Sequence, residues 1–268
     1  MPIRQVLIVV SLGALTGLSS CGGGGGGSVG PTFPITPANL TSANAPSFAR
    51  FAELAARAGA TARLGEFLNS TASPTTFTDT GCVGAPPTGI ATVTLTAPSG
   101  PVSGSAAYTN FDRCYGMRVN GTANIANTSQ MIAGGRVDLM NLTFSGLTFT
   151  AGNETFQASG SASVDWTSVA PASTYLMTVN ATVSGSASFR LENFQINSQI
   201  VPGREELFIS GRLTTGDGFV DIGIGPTRLE LPIPSNGLQN GQITMTGATT
   251  IATVIYSAGT TTITIVPR

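Results

Sequence analysis

The stretch Tyr175-Leu176-Met177-Thr178-Val179-Asn180-Ala181-Thr182-Val183 decides the fold class. Tyr175, Met177, Val179, Ala181 and Val183 fall on one face, with Thr178, Asn180 and Thr182 on the other. A side chain on every second residue points the same way only in an extended strand, and one wet face marks an antiparallel sheet. Phe156, Ala158, Ala162, Val164 and Trp166 repeat the pattern upstream. Ile263 and Ile265 alternate with threonines near the end. From Ile90 onward Thr, Val, Ile, Ser and Phe dominate. The expectation is about twelve to fourteen short strands separated by turn signals. Asn120-Gly121, Gly152-Asn153, Gly216-Asp217-Gly218 and Asn236-Gly237 are the clearest of these. The fold class is therefore mainly β: a large antiparallel meander, left open here between curled sheet, sandwich and barrel.

A loose internal repeat runs through the strands. Ser103-Gly104-Ser105-Ala106, Ser159-Gly160-Ser161-Ala162 and Ser184-Gly185-Ser186-Ala187 share a pattern, with Asn120-Gly121-Thr122, Ser210-Gly211-Arg212 and Thr246-Gly247-Ala248 as weaker versions. Its irregular spacing argues against a solenoid. A glycine where each strand bends or crosses a bulky neighbour accounts for it, as does the Ser, Gly and Ala content of the chain.

Upstream of the strands lies one good helix. Asn44 can cap it and Pro46 suits its first turn. Phe48, Phe51, Ala52, Ala55 and Ala58 form an apolar stripe, opposite Arg50, Glu53 and Arg57, with Glu53 and Arg57 at i, i+4 spacing. Gly59 reads as its stop. A second helical stretch is predicted over about Thr61 to Leu68. The amphipathic pattern predicts a short helix packed on the sheet or capping its end; partner binding is the other reading of it.

The N-terminal residues have the layout of an export signal. Arg4 is followed by an apolar run from Val6 to Leu18. That run is short of the roughly 20 residues a spanning helix needs and suits a cleaved signal. Leu18-Ser19-Ser20-Cys21 resembles the lipobox of bacterial lipoproteins. The resemblance implies cleavage before Cys21 and acylation of its thiol. Glycine in the second mature position implies the outer membrane rather than retention at the inner one. The expected organisation is a signal peptide over 1–20, a Gly/Pro-rich tether over 21–42 and a helix plus antiparallel β domain over 43–268. A flexible tether spans about 5–6 Å times the square root of its length, enough to hold the domain off a bilayer.

Composition narrows the chemistry. Of 268 residues only 9% are charged, against roughly 25% in an ordinary soluble domain. The net charge is −1, so no field attracts nucleic acid or anionic lipid. There is no lysine and no histidine. A Ser-His-Asp set, a Cys-His pair, a histidine metal site and a Schiff-base lysine are all excluded. With Cys21 taken by lipid, Cys82 and Cys114 remain as a pair. An oxidising compartment permits a disulfide between them. Closing that loop of about 30 residues contributes roughly 3–4 kcal/mol in the chain-entropy model. Two buried free thiols are the other reading. No cofactor and no metal are expected, since two cysteines alone make no zinc set.

A carboxylate glycosidase could still be built from acids. Asp112, Asp165, Asp217, Asp221, Glu192, Glu205 and Glu206 are its candidates, and none sits in a distinctive constellation. Glu205-Glu206 beside Arg204 reads as a solvated cluster at a turn. Thr215 to Asp221 reads as a hairpin turn rather than a calcium loop, because it lacks the closing glutamate of an EF-hand.

Two further stretches carry a resemblance. Tyr108-Thr109-Asn110-Phe111-Asp112-Arg113-Cys114 with Val119-Asn120-Gly121-Thr122, and Gly218-Phe219-Val220-Asp221 through Thr246-Gly247-Ala248, are similar to segments of uncharacterised β-rich exported proteins of proteobacteria. The resemblance implies a shared antiparallel fold and no activity. Together these readings predict a non-enzymatic, lipid-anchored envelope protein with a structural, adhesion or partner-binding role. Its partners would be the membrane, through Cys21, and an envelope protein. The alternative is a carrier of apolar ligand, with Phe144, Phe149, Phe156, Trp166, Phe189 and Phe194 inside a curled sheet.

Overall fold

The computed structural model describes residues 6–10, 31–63, 76–79, 89–95, 101–132, 135–169, 172–234 and 237–268. The lipobox, Cys82, Leu64 to Leu68 of the expected second helix, and Asn236 of one expected turn lie outside them. So does the side chain of Trp166. The described residues hold one helix, α1 (Ala45–Ala62), and fifteen strands. These are β1 (Val6–Val10), β2 (Thr76–Asp79), β3 (Ile90–Leu95), β4 (Pro101–Phe111), β5 (Arg118–Ile132), β6 (Gly135–Ala151), β7 (Glu154–Val169) and β8 (Ala172–Gly185). They continue as β9 (Phe189–Val201), β10 (Arg204–Thr215), β11 (Gly218–Ile224), β12 (Leu229–Pro232), β13 (Asn240–Thr246), β14 (Thr250–Ser257) and β15 (Thr260–Pro267).

All belong to one antiparallel sheet. From β2 to β11 each strand pairs with its neighbour in sequence, as in a meander. β13, β14 and β15 continue the order, and β12 pairs with one end of β10 and with β13. β1 pairs with the far side of β15. The two ends of the sheet, β1 and β2, do not pair with each other, so the sheet is open and not a barrel. It curls instead. Strands as far apart as β4 and β14 reach the same helix: the Tyr108 hydroxyl donates to the Ala62 carbonyl and the Tyr256 hydroxyl to the Ala49 carbonyl.

The strands are longer than the turn signals imply. β6 runs for 17 residues and β5 for 15. Asn120-Gly121 is not a hairpin turn but lies inside β5. Its role is to break the ladder: the β5–β6 register shifts between Asn120 and Ala123. Similar shifts fall between Tyr108 and Phe111, Phe144 and Leu147, Val179 and Ala181, and Ser210 and Arg212. Phe144 pairs with Gly160, and Gly160 with Ala181. The irregularities therefore form a line across the sheet. An extra residue in one strand bends it and increases its twist, so the line is where the sheet folds over α1. Glycines of the loose repeat occupy it. Gly160 has φ 155°, and a Cβ there would lie 2.2 Å from the Asn180 carbonyl oxygen. Asparagines fill the gaps: the Asn180 Oδ1 accepts the displaced N–H of Asn193, and the Asn120 Oδ1 that of Asn110.

α1 lies inside the curl rather than on a flat face. Pro46 occupies its first turn as expected. Asn44 stands at the N-cap, but its side chain turns away from the helix, accepting from the Thr41 N–H and donating to the Asn39 carbonyl. The helix does not stop at Gly59. It continues to Ala62, because Gly59 is there to let Ile196 close in: a Cβ would stand 2.2 Å from its Cδ1. The supposed polar face is enclosed as well. Arg57 is buried, and the Glu53 side chain is only 12% exposed.

The proline-rich stretch before the helix is docked in part. Ala38 donates to the Phe219 carbonyl, and Ala248 donates to that of Ala38. Ala38 and Leu40 are buried against the sheet. No helix among the described residues is long and apolar enough to cross a membrane.

Candidate functional site in the enclosed interior

The concave face and α1 together make two environments. Towards β5–β9 the interior is apolar. Leu54, Ala58 and Gly59 of α1 face Leu142, Phe144, Phe149, Phe156, Met177 and Phe189 across a cleft of about 80 Å³. Among all its lining residues only Tyr108 carries a side-chain oxygen or nitrogen, and that hydroxyl is spent on the Ala62 carbonyl. Four of the six aromatic residues expected inside, Phe144, Phe149, Phe156 and Phe189, line the cleft. Phe194 is wholly buried elsewhere in the core. Phe51 stacks on Phe189 with ring centroids 4.9 Å apart.

Beside the last turn of α1 lies a buried polar cluster. Arg63 follows the helix directly, and its Nη1 is 2.8 Å from the Glu205 Oε1. Glu205 is fully buried on β10, and its Oε2 accepts from the Tyr115 hydroxyl at 2.5 Å. The Tyr175 ring lies 6.0 Å from the Arg63 guanidinium, and the Tyr175 hydroxyl donates to the Gly59 carbonyl. Arg57 donates to the carbonyls of Tyr115 and Gly116. The physical logic is that of a helix C-terminus. Its last carbonyls have no partner within the helix and carry partial negative charge. Here hydroxyls from the sheet meet the carbonyls of Gly59 and Ala62, and Arg63 stands at the end. Burial pushes the hydroxyls of Tyr108, Tyr115 and Tyr175 well above the ordinary tyrosine range, so they remain donors.

Glu205 and Glu206 do not form one solvated cluster at a turn. The turn falls earlier, at Pro202-Gly203, and both residues are in β10. Alternation sends Glu205 inward to Arg63 and Glu206 outward. Glu206 faces Glu230 across the β10–β12 ladder, in a polar groove on the outer surface with Asn240 and Gln242. This is the closest approach to a paired-acid site. Both acids are committed: Arg204 contacts Glu206 at 2.6 Å and Glu230 at 3.4 Å, and the Asn240 amide donates to Glu230.

The other acids do not converge. Asp112 accepts from the Tyr115 N–H, and its pKa is raised, mainly by burial. Asp221 pairs with Arg212, and Glu192 with Arg190, on the outer face. Asp165 and Asp217 are exposed. Thr215 and Gly218 flank a tight turn, as expected of a hairpin. Among the described residues no three Cys, Asp or Glu side chains are grouped to hold a metal. Cys114 sits half-buried between β4 and β5 with a left-handed backbone (φ 66°); its expected partner, Cys82, lies outside the described residues.

Sequence reasoning missed the Arg63–Glu205–Tyr115 cluster. Its members come from three distant parts of the chain, and no spacing links them. The one available signal is scarcity. In a chain so poor in charge, an arginine directly after an Ala-rich helix is worth a search for its partner.

No family model, no curated protein and no solved structure matches this chain.

Proposed function

We propose that this chain is a non-enzymatic, lipid-anchored cell-envelope protein whose domain has a structural, adhesion or partner-binding role. The observation that carries the reading is how the interior is used. Among the described residues, the buried Arg63–Glu205–Tyr115 cluster holds the end of α1 in place, and the inner face towards β5–β9 is apolar and nearly filled. The chain has no histidine or lysine to supply other chemistry. The membrane side of the proposal rests on Leu18-Ser19-Ser20-Cys21 and the glycine run after it. Metabolic labelling with a palmitate analogue tests it. The wild-type chain takes the label and Cys21→Ala does not; equal labelling of both would sink the anchoring step.

The apolar cleft favours a second reading, binding of a small apolar ligand. An apolar cavity of about 150 Å³ stays dry and takes up benzene; this one is smaller. It would admit a slender apolar group, and a whole acyl chain only if α1 moved aside. Native mass spectrometry of protein taken from cell envelopes checks this. A bound apolar mass supports it, and a clean apo mass counts against it.

A further inference from the structure

Among the described residues, the side of β15 away from β14 is guarded by β1 alone. Natural sheets protect such edges with charges, prolines, bulges or a covering segment, because a row of free N–H and C=O groups pairs with any available strand. Up to Val266, β15 has none of the first three. Its register with β14 is unbroken from Thr250–Pro267 to Ser257–Thr260. Thr260 to Val266 contains no charged residue, and Pro267 is the last of the strand. The cover is β1: Val6 to Val10 pair antiparallel with Ile265 to Thr261. The edge is thus sterically open to a strand of at least that length. On the anchoring reading, on which this inference rests, cleavage before Cys21 removes that cover.

We propose that in the processed protein β15 pairs antiparallel with β15 of a second copy. Centred on Ile263, a two-fold pairing sets Ile263 against its own counterpart and Thr261 against Ile265 on the inner face. It sets Thr262 against Thr264 on the outer face. Thr261 and Ile263 are buried, and Thr262 and Thr264 are half-exposed. The match therefore sets isoleucines and Thr261 within and hydroxyls alone without, and no like charges meet, as an isologous contact requires. Tethering both copies to one membrane raises their effective concentration for each other.

The test compares wild type with Thr262→Lys/Thr264→Lys, each extracted in detergent from the envelopes of an exporting bacterium and released for native mass spectrometry. Wild type runs as two copies, each beginning at Cys21. The lysine variant runs as one, with its dimer fraction down at least tenfold and its circular dichroism unchanged. If the double variant does not fold, Thr264→Lys alone is read in its place. A cleaved wild type that is single, or a dimer fraction equal in both proteins, overturns the inference alone. A wild-type mass that retains residues 1–20 overturns the anchoring reading and this inference with it.

Discussion

Glu205 shows how far one side chain's setting departs from what its neighbours in sequence imply. Next to Arg204 and Glu206 it reads as one of a group of surface charges. In the fold it is fully buried and faces Arg63 from another part of the chain. Removing one partner of a buried ion pair leaves the other charge uncompensated, at a cost of about 3–5 kcal/mol. Glu205→Ala should lose that much in urea unfolding, and adding Arg63→Met should restore part of it. A loss under 1 kcal/mol for the single variant would mean that the pair is wet. Glu53 offers a test by pH. Burial raises its pKa above the ordinary 4.5, outweighing Arg57, the Leu238 N–H and Arg50, which lower it. The folded state then holds this proton more tightly than the unfolded state does. Its stabilising share is complete below the unfolded value and is lost as pH rises through the folded one. The stability of wild type relative to Glu53→Gln should therefore fall as pH rises from 4.5. A flat difference would place Glu53 in solvent, and a rising one would mean that Arg57 and the Leu238 N–H outweigh its burial.

At the scale of elements, period-two alternation made the strands legible, since Tyr175, Met177 and Val183 all point inward as read. The hairpins at Gly152-Asn153 and Gly216-Asp217 were equally readable. Two glycines were not. Asn120-Gly121 has the composition of a turn, yet which strand crosses it, and hence whether it turns or bulges, depends on residues some twenty positions on. Gly59 looks like a helix stop until Ile196 is seen against it. In both cases the reason for glycine is a long-range close approach, which a local pattern does not encode. The line of bulges gives this a measurable form. Gly211 has φ 122°, and a Cβ would stand 2.4 Å from the Asn193 carbonyl oxygen. Gly211→Ala should cost about 1–3 kcal/mol in backbone strain and more from the clash, whereas Gly203→Ala, also at positive φ (78°) but with open space around its Cβ, should cost the strain alone. Equal unfolding midpoints for the two would argue against a bend at Gly211.

For the whole molecule, the enclosure of α1 is the feature on which the other conclusions depend. A helix lying on the sheet would leave Arg57 and Glu53 in water, open the apolar cleft and free the concave face for a large ligand. A helix held inside it, by hydroxyls of Tyr108, Tyr175 and Tyr256 and by Arg57, uses up that face. The sheet class and the helix α1 were visible in the sequence. The curl was not, because it arises from bulges acting together across several strands. Native-state hydrogen exchange of the peptides covering Ala45 to Ala62 measures the enclosure directly. Their amides should open only with global unfolding, as slowly as those of β9 and β10. Exchange of the whole helix far ahead of those strands would contradict the account and place α1 on the outside.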